Sequence, residues 1–300
     1  MTDGFTVQPA ERSLPTTKVR SQWSLVGRRF VRHWAAMVGV AILLFLFVVC
    51  FGAQWIAPFP KNKVDILNAG LRPSREHWFG TDPAGRDYLT ELLYAGQISL
   101  KIGVAVAFLS TAIGALVGAV AGYFGKFTDQ LLMRATDVFL MIPSVAILAL
   151  AIKKFGGSDL TIVLVLAGLL WMTIARVVRG QVLSLREREF VEAARASGAT
   201  HRRIIVRHLL PNLAGPIIVN SSLAMALAII AESTLSFLGY GVQPPKSSWG
   251  NMLADAQEYF GTTKAFLLYF PGLALLLVVL AINFVGDGLR DALDPLSGKK

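Results

Sequence analysis

Few side chains in this sequence have types and spacing that could do chemistry. The four histidines, His33, His77, His201 and His208, show no metal-ligand spacing, so no metal site is predicted. The single cysteine, Cys50, lies in an apolar run, which excludes an intrachain disulfide, a CxxC redox pair and a zinc pattern. No GxxxxGK[ST] phosphate loop occurs, so ATP is not bound through that motif. No catalytic constellation and no bound cofactor are expected. Two features remain: one acid, Glu232, inside an apolar segment, and a basic stretch at 181–212 between two apolar segments.

The basic stretch carries Arg186, Arg188, Arg195, Arg202, Arg203 and Arg207. Ser184 and Glu187 have capping-box spacing, which predicts that a helix starts there. Phe190, Ala193, Ala194 and Ser197 fall at helical spacing and form a small, flat face. Gly198 is a natural stop, since glycine takes the left-handed cap conformation without strain. Thr200 can cap a second short helix, which Pro211 is expected to end. The product is a helix–glycine–helix elbow, basic on its rim. Such a face suits a groove on another protein; a basic helix resting on anionic lipid is the alternative from charge alone.

The elements that position these features are apolar helices. Of 300 residues, 54% are hydrophobic and 16% charged, well below the ~25% charge of soluble domains. The net charge of +10 is therefore assigned to membrane orientation rather than nucleic-acid binding. Six spans are predicted: Trp34 to Ile56, then 97–124, 128–152 with Pro143 inside it, 159–178, 215–240 and 266–286. Gly114, Gly118 and Gly122 make a small-residue face for close helix packing. Arg134 and Asp137 are spaced to pair at i, i+3. A long loop, 58–96, follows the first span and is expected to be functional. No removable signal peptide is seen.

Four motifs carry a resemblance. Glu192-Ala193-Ala194, then Gly198, then Leu210-Pro211 resembles the EAA loop of ABC importer permeases, with His208 at that loop's isoleucine position. His77 to Asp87 with Tyr94, Ser99 and Leu100, Glu232 to Gly239 with Pro244-Pro245 and Ser248-Trp249-Gly250, and Gly286 to Asp291 with Asp294-Pro295 are similar to the C-type permease subunit of dipeptide and oligopeptide importers. The resemblance covers nearly all of the chain after residue 25.

The resemblance implies an all-α, six-helix integral membrane permease bundle. Its parts are a flexible cytoplasmic tail (1–25), a first span with its extracytoplasmic loop (26–96), a core (97–290) with the coupling loop at 181–213, and a C-terminal tail (291–300). It implies coupling to an ATPase through Glu192, Ala193, Ala194, Ala196, Gly198, Leu210 and Pro211. ATP and Mg would sit on one or two partner ATP-binding subunits. The other implied partners are a homologous second permease, an extracytoplasmic peptide-binding protein and the lipid bilayer, with no nucleic acid. Nickel, glutathione or another peptide-family substrate stays open, as do an ATP-independent secondary transporter and a membrane-anchored adaptor.

An ionised group at mid-membrane costs about 2.5–3.5 kcal/mol and normally faces a cavity or a partner. Glu232 is accordingly either a cavity residue that meets peptide or a buried acceptor fixing its span against a neighbour or the following loop. Asn220, Ser221 and Ser222 could line the same path or bond between helices. Asp287 and Asp291 are expected to anchor the end of the last span at the interface. The Arg clusters place the elbow and both termini on the cytoplasmic side of a plasma membrane. Lys61, Lys63, Arg72, Arg75 and Arg86 in the first loop, and Lys153-Lys154 in the third, oppose that trend. Reporters fused after residues 70 and 250 should therefore report outside, and fusions after 200 and 300 inside. An outside signal at 200 would overturn this topology.

Overall fold

The computed structural model describes residues 22–293. The predicted N-terminal tail up to residue 21, Asp294-Pro295 and the terminal Lys299-Lys300 lie outside them. The described chain starts with an amphipathic helix, α1 (Gln22–Arg32). The first apolar run forms α2 (Trp34–Phe51) and, after a break at Gly52, the single turn α3 (Ala53–Ile56). His33 caps α2 by accepting from the Ala36 N–H at 3.2 Å. The polar loop that follows carries one 3-10 turn, Ile66–Asn68.

The second predicted span starts at Tyr88 rather than 97, so the long loop is shorter than expected. The helix α4 (Tyr88–Phe124) has 37 residues. At ~1.5 Å per residue it runs well past a ~30 Å hydrocarbon layer. It starts there because Asp87 caps it, accepting from the Thr90 N–H and hydroxyl, both at 2.8 Å. His77 holds the other Asp87 oxygen at 2.9 Å. Asp82 likewise accepts from the Ala84 and Arg86 N–H groups and the Arg86 side chain. The His77 to Asp87 motif is thus a hydrogen-bonded collar around the start of α4.

Gly125, at φ +63°, turns the chain into α5 (Lys126–Met141). The third predicted span then bends sharply: α6 (Ser144–Phe155) follows Pro143, and its axis lies at 86° to α5. Proline supplies no N–H and disfavours a helical residue before it, so the break falls there. Among the described residues, five helices are long and apolar enough to cross a membrane, or six if this bent pair counts as one span. The expected Arg134–Asp137 pair does not form. Asp137 instead takes the Arg176 guanidinium at 2.5 Å from α7 (Asp159–Leu185), because that helix packs alongside. Arg179 grips Asp129 in the same way, with Nη2 at 2.6 Å from Oδ2 and Nε on the other oxygen.

After α7 come α8 (Glu189–Ala196), the single turn α9 (His201–Arg203), a π-helical stretch Ile204–Leu209 and the turn α10 (Leu210–Asn212). The remaining elements are α11 (Ala214–Phe237), α12 (Trp249–Ala256) and α13 (Phe266–Leu293). Among the described residues no strand occurs beyond a single bridge between Thr81 and Asp87.

The closest packing is between α4 and α7. A Cβ at Gly114 would lie 2.6 Å from the Trp171 carbonyl oxygen, and one at Gly122 2.8 Å from Val182 Cβ; at Gly118 it would strike the Ala175 carbonyl. The three glycines let the two backbones touch. By contrast, a Cβ at Gly168, an exposed position nearer the start of α7, would meet nothing within 4 Å. Gly118→Ala is expected to destabilise by roughly 1–3 kcal/mol through overpacking. Gly168→Ala should be neutral or stabilising, because alanine is the better helix former. Thermal unfolding of the purified complex checks this; equal midpoints would mean that backbone proximity does not hold α4 to α7.

Candidate functional site

The elbow is built from an apolar underside and an exposed rim. Val191, Ile204 and Leu209 are fully buried and join Ile174, Val178 and Val182 of α7 and Tyr123 of α4 in one cluster. Burying these side chains, at about 1.5–3 kcal/mol each, fixes the elbow to the bundle. Val191 is the anchor of α8, and sequence reading missed it. Its signal was helical spacing opposite to Ala193 and Ala196. The outer surface carries Glu192, Ala193, Ala196, Gly198 and Pro211, all exposed, while Ala194 and Leu210 are half-buried and pack against the underside.

The turn between the arms is a Schellman motif. The Gly198 N–H donates to the Arg195 carbonyl and the Ala199 N–H to the Ala194 carbonyl, both at 3.0 Å. Gly198 has φ +75°, where glycine alone is unstrained. Thr200 caps the second arm, its Oγ1 accepting from the Arg203 N–H.

Two expectations about the elbow fail. Ser184 lies in the last turn of α7, which runs to Leu185, so it caps nothing. The residue before α8 is Arg188, without a side-chain cap, and Glu187 pairs with Arg186 at 2.8 Å. The α7 backbone simply continues past the capping signal. Pro211 does not end the second arm, which extends to Asn212. A proline in the first turn of a helical segment needs no N–H. The chain accommodates it with the π stretch before it, where the Leu210 N–H reaches back to Ile205.

At the opposite end of the bundle, two sequence motifs meet at Glu232. Its carboxylate is 0% exposed. Oε1 accepts from the Ser236 hydroxyl at 2.7 Å, and Oε2 from the Ser99 and Ser233 hydroxyls, each at 3.4 Å. Ser99 accepts in turn from the Trp249 N–H at 3.2 Å, and Ser236 from the Ser248 hydroxyl at 3.1 Å. Ser248 opens α12 in a capping box with Asn251. The carboxylate therefore joins α4, α11 and α12. Trp249 is buried against α4, its Nε1 donating to the Leu92 carbonyl at 3.0 Å. Ser236 lies one helical turn from Glu232 on α11, whereas Ser248 and Trp249 reach the site from beyond the turn at Gly239, φ +82°.

Asn220, Ser221 and Ser222 are half-buried on α11. Asn220 donates to the Pro216 carbonyl and Ser222 to the Val219 carbonyl, both at 2.8 Å, so these donors serve their own helix rather than a neighbour. Ser222 packs close to Gly286 of α13. At the end of α13, Asp291 lies 3.4 Å from the His33 ring.

A second polar feature was not foreseen from sequence. A cavity of about 260 Å³ is lined by Asp82, Arg86, Glu91, Asp255 and Glu258 with Tyr88 and Tyr259. Desolvation raises the pKa of Asp255, opposed by nearby Arg86. The cavity's residues come from the loop before α4 and its first turn, and from α12 and the turn after it, which only the fold brings together.

Residues 114–298 match the family described as binding-protein-dependent transport system inner membrane component, and residues 21–73 match the N-terminal TM domain of oligopeptide transport permease C. An oligopeptide transport system permease protein, OppC, of Mycobacterium bovis is 44% identical over 94% of this chain and 97% of its own. The protein of the same name from Haemophilus influenzae is 42% identical over 92% and 89%. A putative peptide transport system permease of Brucella abortus is 40% identical over 96% of each chain. A chain of the MetNI methionine ABC transporter, in an inward-facing conformation, shares the fold with a TM-score of 0.56 at 18% identity, covering 68% of this chain and 97% of that one. The fold is that of an ABC importer permease. This chain belongs to the family of inner-membrane components of binding-protein-dependent transport systems.

Removing the Glu232 carboxylate would leave the Ser99 and Ser236 hydroxyls without their acceptor, at about 1–3 kcal/mol for an unsatisfied buried group. Glu232→Ala should therefore lower the unfolding midpoint and yield of the complex, with Glu232→Gln intermediate. Wild-type stability combined with lost uptake of some peptides and not others would assign Glu232 to the translocation path instead.

Proposed function

We propose that this chain is the translocation subunit of an ATP-driven importer of di- and oligopeptides. It spans the plasma membrane with the elbow and both termini in the cytoplasm. A homologous second permease completes the channel. ATP and Mg sit on one or two ATP-binding subunits under the elbow, and an extracytoplasmic peptide-binding protein delivers the substrate. Peptide is favoured because the relatives named above carry oligopeptide or peptide transport in their names at 40–44% identity over nearly the whole chain.

The observation that carries the coupling role is the elbow's construction. Its underside is welded to α4 and α7 by fully buried Val191, Ile204 and Leu209, while Glu192, Ala193 and Ala196 point outward on a short helix. Small side chains allow another protein's cleft to approach the α8 backbone closely. Glu192 adds a carboxylate for a charge-assisted contact. ATP binding on the partner shifts the elbow, and the bundle alternates between inward- and outward-open arrangements. This chain breaks no bond.

Gly198→Val places a β-branched residue at φ +75°, a cost of about 1–2 kcal/mol in the left-handed region that also re-aims the second arm. Glu192→Arg reverses the exposed charge. Both variants should leave the bundle assembled, while binding-protein-stimulated ATP hydrolysis and uptake fall. A cysteine at Ala196 should then cross-link less to one in the ATPase cleft. Wild-type transport with unchanged cross-linking in both variants would remove the elbow from the coupling path.

A further inference from the structure

The two arms of the elbow are not held at their angle by the turn between them. A Cβ at Gly198 would meet nothing within 4 Å, so the turn is open on that side, and only Ala199 beside it packs against the apolar underside. Beyond the shared apolar cluster, Tyr123, on the last turn of α4, makes directed contacts to both arms. Its hydroxyl lies 2.8 Å from His201 Nδ1 on the second arm. Its ring lies under the Arg195 guanidinium of the first arm, 5.4 Å from the ring centroid. The neighbouring Phe124 meets the His201 ring edge-on at 5.5 Å. Arg186, where α7 leads into the elbow, donates to the Gly122 carbonyl at 3.0 Å. Three successive residues of α4 thus grip the elbow before Gly125 turns the chain away.

We propose that Tyr123 is a positioning residue, a clamp that bridges the Gly198 turn and makes the two arms one rigid lever fixed to α4. The proposal rests on the elbow being the contact with the ATPase. Its physical basis is separate. Apolar contacts are non-directional, so the underside shared by Val191, Ile204 and Leu209 holds the arms to the bundle but leaves them freedom to shift against each other about one glycine. A buried tyrosine with a hydrogen bond to one arm and a cation–π contact to the other removes that freedom. Since α4 touches α7 backbone to backbone, a push on α8 would reach both helices together instead of being absorbed at the turn.

The test uses the assembled complex, with Cys50 replaced by alanine and spin labels on cysteines at Ala196 and Arg202, one on each arm. Double electron–electron resonance gives the distance distribution between the arms; uptake of tritiated tri- to hexaalanine and ATP hydrolysis give ATP consumed per peptide. His201→Ala, at an exposed position, removes the hydrogen bond without disturbing the core, Tyr123→Phe removes the hydroxyl alone, and Tyr123→Ala removes the clamp. The distribution should broaden least in Tyr123→Phe, more in His201→Ala, which also removes the ring contact with Phe124, and most in Tyr123→Ala, and ATP consumed per peptide should rise by about threefold or more, the scale of one lost hydrogen bond. An unchanged distribution in all three variants overturns the clamp and leaves the elbow's contact with the ATPase standing. Broadening with unchanged ATP per peptide overturns the clamp's role in coupling. Failure of the underlying reading is seen separately, as absence of the Ala196 cross-link to the ATPase in the wild-type complex.

Discussion

The backbone contact between α4 and α7 is the constraint on which the other features depend. Three glycines four residues apart bring the two helices close enough that an added Cβ at Gly118 would strike a carbonyl. In a membrane there is no hydrophobic force between helices, so association depends on van der Waals fit and on polar contacts. Close approach maximises the first. The Arg179–Asp129 and Arg176–Asp137 pairs, which tie α7 to α5 beside that seam, supply the second.

The helix α4 also links the two ends of the molecule. At one end its last turn holds the elbow through Gly122, Tyr123 and Phe124. At the other, the Asp82–Asp87 collar caps it, and Ser99 and the Leu92 carbonyl tie it to Glu232 and Trp249. A carboxylate buried with three serine hydroxyls has its lone pairs engaged, which offsets its desolvation. Two of these hydroxyls, Ser99 and Ser236, accept from the start of α12 and the residue that caps it, so α11, α12 and α4 meet at one group.

The outer surface fits a bilayer rather than water. Trp34 and Trp55, near opposite ends of the α2–α3 segment, are 77% and 80% exposed, as are many of the apolar side chains between them. Tryptophans at both ends of an apolar helix match the aromatic belts of membrane interfaces. The bent α5–α6 pair exposes Met141 and Ile142 beside Pro143.

Local chemistry was legible in the sequence. The spans follow from unbroken apolar runs, the Gly198 and Thr200 turn from residues that tolerate or cap only certain backbone shapes, and the glycine face from a four-residue repeat. Where sequence reasoning failed, two local signals competed and a distant neighbour decided. Ser184 can cap a helix, but the α7 backbone was already continuous through it. Asp137 could pair with Arg134, but Arg176 lies on the helix packed alongside. Pro211 could stop a helix, but a π stretch carried the chain past it. Glu232 marks itself as unusual in any sequence reading. Its bonding to Ser99, 133 residues earlier, and the grip of Tyr123 on His201, 78 residues later, are set by which helices pack together. Helical periodicity determines which face of a helix a side chain occupies; only tertiary packing determines what that face meets.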